Sequence, residues 1–147
     1  MIINKRNHQE RFETLLEKLR ARGSRITSHR LAMLDLLAVS EGHPSAAQIF
    51  NTLRLQFPTI SLATVYKTLA VLKEEGEVLE INLPLEARYD GNKPYSHPHL
   101  ICTSCGNIID GDELSGFSNA SKEILGHYGF EVAQSQIVFY GKCKDCR

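Results

Sequence analysis

Two C-x-x-C pairs, Cys102/Cys105 and Cys143/Cys146, stand in the last third of this 147-residue chain, with 37 residues (106–142) between them. Each pair puts two thiols on one tight knuckle, and Gly106 serves the turn that aims the first pair. Two knuckles supply four thiolates, the tetrahedral set that zinc prefers, and a site filled by protein leaves no position for water. A structural zinc is therefore expected, with folding of the C-terminal half dependent on the metal. Redox-active pairs are the alternative, but thioredoxin-like chemistry needs a strand feeding a helix start at the cysteines, and the flanking sequence shows none. The N-terminal stretch "MIINKRNHQERFETLLEKLR" has no apolar signal region, and no apolar run approaches a membrane span. A cytoplasmic location is expected, where disulfides do not persist and metal binding is the better account of four cysteines.

Directly before the first knuckle, "YSHPHLICTSCG" adds His97 and His99, so four metal-binding side chains fall within nine residues, 97–105. In an extended segment, side chains alternate between faces. His97, His99 and Ile101 then share one face, while Leu100 and Cys102 take the other. Pro98 between the histidines suits extended or edge backbone and excludes a helix. The imidazoles are thus expected to serve a second site, pointing away from the thiolates. Two histidines rarely complete a site. Candidate partners are His43, Asp90 and Asp110, each of which could equally be an ordinary turn residue. An imidazole–carboxylate set suits Fe(II) or Mn(II) as well as zinc.

Hydropathy patterning organises the rest. "RFETLLEKLRARG", "RITSHRLAMLDLLAVSEG", "HPSAAQIFNTLRLQFP" and "SLATVYKTLAVLKEEG" carry apolar residues at helical spacing. Thr27 or Ser28, Ser45 and Ser61 are the expected caps, and Gly23, Gly42, Pro58 and Gly76 the expected stops. Leu62, Val65, Leu69 and Leu72 are expected to face inward from the last of these helices. "EVLEINLPLEARYD" then alternates apolar and polar residues, as a short hairpin does. Helices followed by a hairpin form a winged helix, whose last helix enters the major groove of DNA; any small helical domain with a β-appendix is the other reading. Thr64, Tyr66, Lys67 and Lys73 are the polar candidates on that helix. A formal net charge of zero hides a front, residues 1–30, that carries eight Lys/Arg against three acids. Such a front fits phosphate contact or a solvated helix face. "DGNKPYS" reads as a linker, and "HPHLIC", "GNIIDG", "SNASKEILGHYG" and "FEVAQSQIVFYGKC" as strand, strand, helix and strand. The expectation is an α+β chain: a winged-helix DNA-binding domain over 1–86, a hinge over 87–96, and a small α/β dimerisation and metal-binding domain over 97–147.

The stretches "RITSHRLAMLDLL", "HPSAAQIFNTL", "FPTISLATVYKTLAVLKEEG", "RYD", "HPHLICTSCGNIID" and "YGKCKDC", in this order, resemble the ferric uptake regulator (Fur) family of bacterial metal-dependent repressors. The resemblance covers nearly the whole chain and is greatest to the peroxide-responsive branch. It implies a homodimer on double-stranded operator DNA, no membrane, no enzymatic activity, and no small-molecule substrate beyond peroxide as signal. By this resemblance, Cys102, Cys105, Cys143 and Cys146 hold structural Zn(2+). His43, Asp90, His97, His99 and Asp110 hold regulatory Fe(2+) or Mn(2+), clamping two domains into the DNA-binding geometry. Arg25 reaches the minor groove, Tyr66 and Lys67 read from the recognition helix, and Ser61 and Thr64 meet phosphates. Asp110 stands where iron sensors usually carry Glu, and Ser135 where they carry a further histidine. The branch chemistry implied is oxidation of His97 or His99 when peroxide meets the Fe(II) form, with Mn(II) supporting DNA binding without that sensitivity. The same resemblance leaves an iron, zinc or manganese uptake regulator as the alternative. A small metalloenzyme is a rival of another class, against which no further acid–base residue or substrate-positioning motif is visible.

Overall fold

The computed structural model describes residues 5–39, 42–112 and 114–147; for Lys5 and Arg6 of the basic front, the side chains lie outside the described residues. The chain divides into two compact units, Met1–Pro94 and Tyr95–Arg147.

In the N-terminal unit, α1 (Lys5–Ala21), α2 (Ser28–Val39), α3 (Ala46–Leu53) and α4 (Leu62–Glu74) precede a hairpin of β1 (Leu79–Asn82) and β2 (Ala87–Asp90). Hydroxyls set the starts of α2, α3 and α4. The Thr27 Oγ1 accepts from Arg30 N at 3.2 Å. Ser45 forms a capping box, its hydroxyl accepting from Gln48 N while the Gln48 side chain accepts from Ser45 N. Ser61 caps α4 by accepting from Thr64 N. Gly76, at φ 72°, lets the chain leave α4 in the left-handed conformation. α1 begins ahead of the apolar pattern, because Lys5–Glu10 is polar and carries no periodicity. α3 ends at Leu53, short of Pro58.

The helices bury Leu15 and Leu19 of α1, Met33, Leu34 and Leu37 of α2, Ile49 of α3, and Val65, Leu69 and Leu72 of α4 in one cluster. Leu62 departs from the expected inward face: as the first residue of α4 it is 40% exposed. The Leu34 side chain has no exposed surface and belongs to this cluster. Leu34→Ala is expected to cost about 3 kcal/mol, lowering the unfolding midpoint in a circular-dichroism melt by roughly 10 °C.

Strand β2 pairs antiparallel with β1, Leu79 opposite Asp90 and Asn82 opposite Ala87. Residues 87–90, which the alternation assigns to the hairpin and the domain bounds to the hinge, are thus the second strand of the wing. They lie in the N-terminal unit because their ladder partners do. The basic front is also partly spent on the fold. Arg22 donates to Glu75 and Glu74 at 2.7 and 2.6 Å, and Arg11 to Glu77 at 2.5 Å. Farther along, Lys73 of α4 donates to Glu80 at 2.8 Å.

The C-terminal unit is a three-stranded sheet of order β4 (Ile108–Asp110), β3 (Pro98–Cys102), β5 (Ile137–Gly141), with α5 (Ala120–Tyr128) between β4 and β5 in sequence. β3 is antiparallel to β4 and parallel to β5. Among the described residues no helix is long and apolar enough to cross a membrane.

Candidate metal centres

β3 and β5 assemble the four cysteines. Their parallel register sets Cys102 beside Gly141, so the knuckle that follows β5 emerges next to the one that follows β3. Gly106, at φ 73°, turns the first knuckle, where Gly106 N donates to Cys102 O at 2.9 Å. Cys146 N donates to Cys143 O at 3.0 Å in the second. All four sulfurs lie within 4.8 Å of one another, with Cys105 and Cys143 at 3.8 Å. A tetrahedron with Zn–S bonds of about 2.3 Å has edges of about 3.8 Å, so the donors fit zinc. Backbone N–H groups of Cys143 above all, then of Cys105 and Ser104, hold the Cys102 thiol down at about 6. Neighbouring thiols push Cys146 up to about 12. Cys102 is therefore the readiest of these thiols to ionise, and metal binding must displace the protons that Cys105 and Cys146 hold more firmly. The cluster fits a closed structural zinc site, with four protein donors and no position left for water.

On the other side of β3, the register explains why Asp110 meets the histidines: His99 and Asp110 are directly opposed across the antiparallel ladder, so their side chains share a face. His97 and His99 also share that face, their ring centroids 4.3 Å apart, as the alternation predicts. Asp110 Oδ1 lies 3.0 Å from His97 Nε2 and 3.5 Å from His99 Nε2. His97 and His99 are buried. His97 Nδ1 lies 2.7 Å from Tyr95 O. A carbonyl only accepts, so Nδ1 carries a proton and Nε2 is the nitrogen turned toward Asp110, the arrangement a metal-ligating histidine has. The Tyr95 carbonyl, which orients the ring, has no sequence signal because every residue offers one.

A second set of donors belongs to the N-terminal unit. His43 Nε2 lies 3.2 Å from Asp90 Oδ2, and both side chains are 2% exposed. His43 takes φ 48°, left-handed backbone that a β-carbon disfavours. Strain of this kind persists where surrounding contacts impose it. Here Pro44 O accepts from Tyr89 N at 3.0 Å, tying the His43 loop to β2 one residue before Asp90. Asp90 Oδ1 accepts from the backbone N–H groups of Asn92 and Lys93, both at 3.0 Å, which leaves Oδ2 directed at His43.

The sequence profile of the ferric uptake regulator family matches residues 21–140. The chain belongs to this family. The peroxide-responsive repressor PerR of Staphylococcus aureus (strain USA300) is 34% identical over 142 residues, covering 95% of this chain and 93% of its own. The structure of the Campylobacter jejuni peroxide stress regulator is 31% identical with a TM-score of 0.69, covering 90% of this chain and 97% of that one. The Pseudomonas aeruginosa ferric uptake regulator, solved with manganese, is 28% identical with a TM-score of 0.69, covering 87% and 96%.

In this Fur-family chain the candidate DNA contacts fall on the N-terminal unit. Tyr66 and Lys67 are exposed on α4, Tyr66 by 52%, while Val65, Thr68, Leu69 and Leu72 of the same helix face the core. Arg25 is exposed ahead of α2, and its carbonyl accepts from Arg30 Nη1 at 2.7 Å. Ser61 and Thr64 are joined at the helix start, hydroxyl to hydroxyl at 2.9 Å. Lys73, a further candidate from the sequence, is held by Glu80 instead.

Proposed function

We propose that this protein is a metal-dependent, peroxide-responsive transcriptional repressor that binds operator DNA as a homodimer. The observation that carries the reading is the donor chemistry. His43 and Asp90 form one buried imidazole–carboxylate pair, and His97, His99 and Asp110 form a second buried set. Two imidazoles and a carboxylate, as in the second set, can hold Fe(II) with several positions open; joined by the first set they make five N/O donors, which suit Fe(II) or Mn(II) and leave a single position open. In this reading one regulatory metal takes both sets, and its binding fixes the N-terminal unit against the C-terminal unit in the DNA-competent arrangement. Metal affinity is then the differential contact that biases a two-state element.

Arg25, Tyr66 and Lys67 would face DNA, with Ser61 and Thr64 at the phosphates. The exposure of Arg25, Ser61, Tyr66 and Lys67, and the N-terminus of α4 at Ser61, support this placement. Dimerisation is supported by an apolar row across the sheet of the C-terminal unit. Ile109, Leu100 and Phe139 stand side by side on β4, β3 and β5 and remain 42, 39 and 43% exposed. Apolar residues contiguous over three strands mark an interaction face.

Bound Fe(II) would lend the electrons that cleave peroxide and recover them from the ring, so that the imidazole is the group oxidised overall. The imidazoles of His97 and His99 are the oxidisable groups beside Asp110. In the net reaction one peroxide oxygen enters a ring carbon–hydrogen bond and the other leaves as water. An oxidised ring no longer serves as a ligand, so the metal and then the DNA are released. Peroxide treatment of the Fe(II) form is expected to add one oxygen mass to the peptide carrying His97 and His99, read by mass spectrometry of a digest. The Mn(II) form is expected to show no gain. Oxygen found on the cysteine peptides instead would make the thiols the sensor.

A further inference from the structure

Arg11 stands in the basic front of the sequence, yet its side chain is only 12% exposed and points inward from α1. Its Nε donates to Gly91 O at 2.7 Å. Its Nη1 donates to Glu77 Oε2 at 2.5 Å, and its Nη2 to the Glu77 carbonyl. All three nitrogens of the guanidinium are therefore engaged, two on a residue just ahead of the wing and one on the residue after Asp90. α2 confines the same turn. A β-carbon added at Gly91 would lie 2.9 Å from Leu37 Cβ and 3.2 Å from Leu37 O, closer than such atoms pack. Gly91, the residue after Asp90, is thus held between Arg11 at its carbonyl and Leu37 at its Cα, while Asp90 Oδ1 is occupied by Asn92 N and Lys93 N.

We infer that Arg11 is a positioning residue for the regulatory metal: by holding the Gly91 carbonyl it sets where Asp90 Oδ2 stands beside His43. The inference rests on the reading of Asp90 as a ligand. Arginine is needed because three donors in a rigid fork reach three acceptors at fixed angles, which one lysine ammonium on a flexible stem cannot reproduce. Partners that orient metal ligands typically contribute about 10–100-fold to metal affinity. The same clamp makes α1 part of the sensor rather than part of the DNA contact.

The test is a Mn(II) titration of the full-length, zinc-loaded protein, with free Mn(II) read by its paramagnetic resonance signal. The set is the parent protein, Arg11→Lys, Gly91→Ala, Asp90→Ala and Arg22→Ala, each with its unfolding midpoint measured in the zinc-only form. Arg11→Lys and Gly91→Ala are each expected to weaken Mn(II) binding about tenfold or more. Arg22→Ala, which removes exposed pairs just past the end of the same helix, is expected to stay within about twofold of the parent. If Asp90→Ala loses Mn(II) while Arg11→Lys binds it as the parent does, Arg11 is a fold tie alone and the inference is overturned, with the site reading intact. It is overturned in the same way if the Arg11→Lys midpoint falls with no change in Mn(II) affinity. Parental affinity in Asp90→Ala removes the site reading itself, and the inference with it. Should Arg11→Lys not fold, Gly91→Ala decides, since parental Mn(II) binding there shows that the loop's position does not matter.

Discussion

Exchanging Cys102 for serine is expected to empty the zinc site and unfold the C-terminal unit. Among the described residues of that unit, the buried apolar side chains are Pro98, Ile101, Cys102 and Ile108. Burying a side chain of this size contributes about 1.5–3 kcal/mol, whereas structural zinc in small domains contributes about 10–16 kcal/mol. Metal, not apolar core, therefore dominates the stability of this half. Cys102 is the cysteine on which both knuckles converge. It ends β3, its carbonyl closes the first knuckle, and its sulfur accepts from Cys143 N at 3.4 Å. A serine hydroxyl stays protonated at neutral pH and gives zinc no anionic donor. Elemental analysis is expected to show zinc falling from about one per chain to near zero. Hydrogen exchange is expected to show lost protection in β3, β4 and β5 with the N-terminal unit still protected, since its core of α1–α4 stands on its own apolar burial. Retained protection in the zinc-free variant would mean that packing alone holds this unit.

Replacing His97 with alanine is expected to weaken regulatory metal binding by more than about 100-fold, beyond what losing a second-sphere partner costs. Metal-dependent DNA binding should disappear at metal concentrations that saturate the parent. The size of the effect follows from how the ring is held. Tyr95 O fixes the Nδ1 proton, so Nε2 is presented as a ready donor at 3.0 Å from Asp110. Alanine removes that donor and leaves Asp110 Oδ1 with His99 at 3.5 Å. Zinc content should not change, because Cys102 and His97 belong to opposite faces of the same segment. Loss of zinc together with the regulatory metal would show that the two sites are not separate.

That separation is the part of the molecule most legible in the sequence. Alternation along "HPHLIC" is a local rule with a period of two, and the four cysteines declare themselves by spacing. Helix starts at Ser45 and Ser61 are equally plain, since a hydroxyl followed by an apolar helical pattern acts within three residues. What the sequence hides depends on contacts distant along the chain. Alternation in "EVLEINLPLEARYD" shows the hairpin, but where the hinge begins does not show in it, because β2 belongs to the N-terminal unit through its pairing with β1. Arg11 reads as one charge of a basic front, for phosphate or for solvent, because its acceptors, Glu77 and Gly91, lie 66 and 80 residues away. Lys73 reads as a polar candidate on the last helix, yet Glu80, across the bend into the wing, holds it. The left-handed backbone of His43 carries no residue signature, because glycine or asparagine is the usual sign of that conformation.

The central claim is that peroxide acts through the regulatory metal to release DNA. Its most direct test uses a duplex selected from a random pool by the Mn(II) form. Binding is then followed by fluorescence anisotropy for the zinc-only, Mn(II) and Fe(II) forms, before and after peroxide. The prediction is that Mn(II) and Fe(II) each restore binding to the zinc-only protein, and that peroxide releases DNA from the Fe(II) form alone. Fe(II)-dependent binding that survives peroxide, or equal release from the Mn(II) form, would contradict it, leaving metal supply in the first case and the thiols in the second as the signal.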